Sequence, residues 1–122
     1  MSAPWSRIKI ADGSANGFLF ERQASGRVQF EYDPVTREES STGMYDGGPP
    51  RKEDLASDDA RLTELWSLLR RVEADKSIQQ EDRNKGTGAI SWEAPDGAHS
   101  FILQMNSAGL NELLALLKRF GK

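Results

Sequence analysis

A chain of 122 residues, 37% hydrophobic and 29% charged, is the size of one domain with one core. It contains no cysteine, a single histidine and a formal net charge of −3. A disulfide scaffold, a zinc finger, thiol catalysis and a generally basic nucleic-acid binder are thereby excluded.

No apolar stretch of signal-peptide length follows Met1, and charge returns at Arg7 and Lys9. The densest apolar run, Leu113 to Leu117, falls far short of the roughly 20 residues a membrane span needs. The expectation is a soluble, cytoplasmic protein with no membrane partner.

Three alternating runs open the chain. Ile8 and Ile10 share one face; Phe18 and Phe20 repeat the pattern; Val28, Phe30 and Tyr32 complete it. Period-2 alternation of this kind predicts half-buried antiparallel strands. The connections Asp12 to Gly17 and Ala24 to Gly26 have the composition of tight turns.

From Asp33 to Ala56 periodicity stops, and prolines, glycines and the Ser40-Ser41-Thr42 cluster take over. Such a long structureless loop is functional or disordered more often than not. Residues 33–60 carry eight carboxylates and three basic residues, so the acidity of the whole chain is concentrated here.

A helix is predicted next, with Ser57 as N-cap and Asp58 and Asp59 in its first turn. Leu62, Leu65, Trp66, Leu69 and Val72 form its apolar stripe. A strand pair follows, with Ile90 and Trp92, then Phe101, Leu103 and Met105, on its inner face. A last helix, capped by Asn106 or Ser107, carries Leu110, Leu113, Leu114, Leu117 and Phe120 on one face.

The predicted fold is α+β in the order βββαββα. An antiparallel sheet of about five strands carries both amphipathic helices on one face. Residues 1–122 form a single domain with an irregular acidic Pro/Gly-rich insertion at about 33–56. The two helix stripes match position for position at an offset of 48 residues, which raises the idea of a duplicated hairpin-plus-helix unit. Trp5, Leu19, Met44, Tyr45, Ile78 and Ile102 are left outside the inward set.

Asp96, His99 and Ser100 are the residue types of a hydrolase triad. His99 and Ser100 are adjacent in a strand and point to opposite faces, so the arrangement fails. Lys85-Gly86-Thr87-Gly88 leads into a strand rather than a helix, unlike a phosphate-binding loop. No catalytic constellation and no cofactor are expected. Asp12, Ser14 and Asn16 offer oxygen at the first positions of a calcium loop, but Gln23 stands where a bidentate carboxylate is required. Calcium binding through Asp12–Asn16 is therefore a weak alternative. Arg7, Lys9 and Arg27 share the open sheet face with Glu21, Glu31 and Glu93, and no exposed aromatics stand there for base stacking. No nucleic-acid partner is expected.

The insertion places Met44 and Tyr45 at a glycine-flanked tip beside Asp46, with Glu53 and Asp54 further on. Large apolar anchors beside steering charge suit a contact with another protein, one with basic character. The reading is a non-enzymatic protein-binding domain of inhibitor, immunity or adaptor type, with Met44, Tyr45, Asp46, Glu53 and Asp54 as contacts. In element order the chain resembles the body of small acidic type III secretion chaperones, without their leading helix. That resemblance implies a homodimer holding an unfolded partner, and Leu19 and Ile102, on the open sheet face, would form the self-contact. Its size and acidity are similar to those of small bacterial protease inhibitors and toxin-immunity proteins.

Overall fold

A computed structural model describes residues 4–14, 16–35, 48–83 and 86–121. Strands β1 (Arg7–Ala11), β2 (Gly17–Arg22), β3 (Val28–Asp33) and β4 (Arg51–Leu55) precede helix α1 (Ala60–Ala74). A single 3-10 turn, Lys76–Ile78, leads into β5 (Gln79–Gln80), then β6 (Gly88–Ala94), β7 (Gly97–Leu103) and helix α2 (Ala108–Leu117). Every neighbouring pair is antiparallel, in the order β4-β3-β2-β1-β6-β7-β5.

The α+β class and the two helices are as the sequence predicts, but among the described residues the sheet has seven strands rather than about five. The extra members are the two edges. The segment Arg51–Leu55 lies inside the stretch expected to be irregular, yet it pairs with β3 along its whole length. Gln79 and Gln80 add two residues against Leu103 and Ile102.

Alternation along the strands sets the core. Ile8, Phe20, Val28, Phe30 and Leu103 are fully buried against Leu65, Leu69, Leu113, Leu117 and Phe120 of the helical layer. Each such side chain stabilises the fold by roughly 1.5–3 kcal/mol. Trp5, expected to be left over, is buried in the same core, with the Arg22 guanidinium 4.4 Å from its ring centroid. Met105, expected inward, is 62% exposed because β7 ends at Leu103 and the alternation ends with it. Ile78 packs half-buried against the core edge.

Asp59, not Ser57, caps α1: its carboxylate accepts from the Arg61 amide at 2.9 Å. Ser107 is the N-cap residue of α2. After α2 the chain turns back so that Phe120 enters the core, which requires Gly121 at φ +79°. A Cβ at Gly121 would lie 2.8 Å from Arg51 and from the Phe30 ring.

The topology also speaks against a duplicated unit. β2 and β6 both run antiparallel to the shared central strand β1, so they point the same way. From β2 the chain steps to β3 on one side, whereas from β6 it steps to β7 on the other. With both helices on one face, the two hairpin-plus-helix units are mirror arrangements, which tandem repeats of an L-polypeptide do not produce. The 48-residue match is helical periodicity alone.

Candidate functional site

The helices cover one face of the sheet and leave the other open. Register places Lys52, Glu31, Leu19, Lys9, Ser91 and Ser100 in one row across six strands of this open face. The next row runs Asp33, Gly17, Ala11, Ala89, Ile102 and Gln80. The small side chains of Gly17, Ala11 and Ala89 hollow the second row. The result is a trough of about 1110 Å³ whose walls include Leu19, Ile102, Lys9 and Lys52. Leu19 and Ile102, left over by the core assignment, are both half-buried here.

Charge on this face is largely self-neutralised. Arg7 pairs with Glu21 at 3.7 Å, Lys52 with Glu31 at 3.4 Å and Arg27 with Asp54 at 2.9 Å. Arg7, Arg27, Glu21 and Glu31 are charges the sequence places on this face; β4 adds Lys52 and Asp54, and the three pairs join neighbouring strands. Lys9, exposed on the central strand, forms no ion pair among the described residues.

Of the contacts expected in the insertion, Met44, Tyr45 and Asp46 lie outside the described residues. Glu53 and Asp54 do not act together. Asp54 points to the open face with Arg27, whereas Glu53 points to the helical side. There Glu53 accepts from both terminal nitrogens of Arg61, at 3.2 and 2.7 Å, and from the Gly121 amide at 2.8 Å. The Arg61 hydrogen bonds, with the Gly121 amide, hold the Glu53 carboxyl below the usual carboxylate range. Asp59 is lowered by the same guanidinium, and Arg61 is raised by both carboxylates. Glu53, offered by the sequence as a contact for a partner, thus joins Asp59 and Arg61 in locking β4, α1 and the chain end together.

The Asp12–Gly17 loop is tied by its own donors. One Asp12 oxygen accepts from the Ser14 and Asn16 amides at 2.9 and 3.0 Å, and the other from the Asn16 side chain at 2.9 Å. The Asn16 side-chain oxygen in turn accepts from the Val35 amide at 2.8 Å. A cation at Asp12 would have to displace these N–H groups. Among the described residues, no group of three or more His, Cys, Asp or Glu is placed to hold a metal.

His99 sits where β7 faces α1. Its Nδ1 lies 2.6 Å from Glu73 and its Nε2 3.0 Å from Asp96, with the ring stacked on Trp92 at 5.2 Å. Both ring nitrogens face carboxylates, which only the doubly donating imidazolium satisfies. The hydrogen bond to Asp96, then that to Glu73, raises the His99 pKa, and His99 lowers Asp96. Ser100 points to the open face, so the strand alternation separates it from His99. This cluster acts as a clasp between the β6–β7 turn and α1. Because the folded-state pKa is raised, the stabilisation is complete below the unfolded histidine value of about 6.5 and is lost as pH rises through the folded midpoint. An NMR titration of the sole imidazole is expected to give a midpoint above that of a free histidine, lowered by Glu73→Gln.

Among the described residues no helix is long and apolar enough to cross a membrane. No protein-family model matches the chain, and no curated protein matches it in sequence.

Proposed function

We propose that this is a non-enzymatic protein-binding domain that receives its partner on the open sheet face. The observation that supports it is the trough itself: half-buried Leu19 and Ile102 flank a floor of small residues on a face that neither helix covers. Apolar patches of this kind, rimmed by polar groups, mark interaction sites. His99 is held by two carboxylates and faces away from Ser100, which favours binding over hydrolysis.

The Met44-Tyr45-Asp46 segment belongs to the proposal on its composition. Asp33 and Pro50, on either side of it in sequence, both line the trough. Soluble cytoplasmic residence is part of the same reading and is checked by cell fractionation.

Affinity capture from the native cell extract tests the reading, with three baits: the wild-type chain, Leu19→Thr with Ile102→Thr, and a deletion of residues 36–47. Two lost apolar anchors are expected to weaken capture of a specific partner about ten-fold or more. Because threonine suits a strand surface, folding stability should stay within about 1 kcal/mol of wild type. A partner kept by the doubly substituted bait but lost by the deletion would move the contact from the trough to the insertion. No specific partner for the wild-type bait would overturn the reading.

A further inference from the structure

Lys9 stands at the middle of the sheet, on β1, flanked in its row by Leu19 on β2 and Ser91 on β6, with Ser100 next beyond. Directly opposed residues on antiparallel strands bring their side chains within contact reach. Among the described residues, the Lys9 ammonium and the Ser91 and Ser100 hydroxyls form no side-chain hydrogen bond or ion pair with one another or with other groups. The neighbouring basic groups on the face are taken, Arg7 by Glu21 and Lys52 by Glu31. Beside Lys9 the trough therefore presents one uncommitted cation with two hydroxyl donors, bordered by apolar Leu19, Ala11, Ala89 and Ile102, while the carboxylates of Asp33 and Glu81 line it further along, so the acid-accepting position is the Lys9 row alone.

The charge and shape of the face narrow the occupant. A second copy packed face to face about the middle of the sheet would set Lys9 against its own counterpart, a like-charge contact that weighs against it. An open trough with an exposed cation also does not enclose a small ligand, which such sites bury by roughly 70–90%. An extended chain fits both limits, since its alternate side chains meet a flat face at the spacing of the rows.

We propose that the trough takes an extended segment of a partner protein that sets an acidic side chain on Lys9, beside Ser91 and Ser100, with apolar side chains on Leu19 and Ile102. This rests on the protein-binding reading above and gives the partner's local charge, opposite in sign to the one the acidic insertion suggests.

The test uses the isotopically labelled full chain and three capped octapeptides, each with leucines flanking a central glutamate, glutamine or lysine. The glutamate peptide is expected to shift the amide signals of Lys9, Leu19, Ser91, Ser100 and Ile102. It should bind about three- to ten-fold tighter than the glutamine peptide, the range of a partly exposed charge contact. Lys9→Glu, an exposed substitution, should reverse the order so that the lysine peptide binds best. Equal affinities, or a wild-type preference for lysine, would overturn the acidic assignment while leaving capture by the trough intact. Shifts confined to the helical side, or no shift with any peptide at millimolar concentration, would overturn the docking site. Stronger competition by decanoate would assign the trough to a small apolar acid, and concentration-dependent shifts of the free chain would assign it to a second copy; either overturns the proposal. The capture experiment decides the broader reading separately, because it does not depend on the partner's charge.

Discussion

Phe120→Ala is expected to lower the unfolding free energy by about 3–5 kcal/mol. Phe120 lies beyond α2, three residues past Leu117, yet it is completely buried. Its ring meets Phe20 edge-on at 4.9 Å and stacks on Phe30 at 5.5 Å, and the Arg61 guanidinium lies 5.0 Å from its centroid. The backbone holds it in place, with the Phe120 carbonyl accepting from Arg51 at 2.9 Å. Alanine would leave a cavity between β2, β3 and the chain end that the surrounding strands cannot close. Since small domains hold only about 5–15 kcal/mol in reserve, chemical denaturation should report a large loss. Phe120→Leu should recover most of it. Equal stability of wild type and Phe120→Ala would mean that the chain end does not pack in the core.

Arg61→Ala is the second large effect, with an expected cost of about 2–4 kcal/mol. The Arg61 side chain is 19% exposed and links four segments: Glu53 of β4, the cap Asp59, its own helix, and the Arg119 carbonyl at 2.7 Å. Removing it leaves two largely buried carboxylates without their cation, which costs more than the attraction alone. Arg61→Lys keeps the charge but not the forked geometry, so it should fall between the two. The pH dependence follows from the lowered Glu53 and Asp59 values. Their stabilisation is present above the unfolded carboxylate range, about pH 4, and is lost as pH falls through the folded values. Wild type should therefore lose stability in acid more steeply than Arg61→Ala, measured by urea unfolding at pH 7 and at pH 3. Parallel losses would show that the network contributes nothing to acid sensitivity.

The central strands and both helices were legible because each buries one face with the period of its element. β4 was not, because Arg-Lys-Glu-Asp-Leu over residues 51–55 contains a single apolar side chain. What holds it is pairing with β3 and the Glu53–Arg61 contact, both long-range. Charge and the preceding Pro49-Pro50 suit an edge strand that must not recruit another chain. β5 is two residues long, too short for any periodicity, and exists through Leu103 and Ile102. Trp5 lies outside every alternating run, and its carbonyl and ring both meet Arg22, 17 residues away.

The trough was only half legible. Leu19 and Ile102 stood out as hydrophobes without a place in the core, and the mixed charges of the open face could be read from alternation. Which charge meets which could not, because β6 joins β1 rather than β3 or β4. That pairing across the chain puts Ser91 and Ser100 beside Lys9 and leaves Lys9 as the uncommitted cation. Of the contacts the insertion offers, the two that are described are engaged within the fold: Glu53 turns inward to Arg61 and Asp54 meets Arg27.

Lysine footprinting gives the most direct test of the open face as the contact surface. Lys9 and Lys52 line the trough, whereas Lys76 and Lys118 are exposed and lie outside it, in the turn after α1 and at the end of α2. With the partner captured from native extract, brief acetylation and mass spectrometry should find Lys9 strongly protected and Lys118 as reactive as in the free chain. Protection of Lys118 with Lys9 unchanged would place the partner on the helical side and contradict the account.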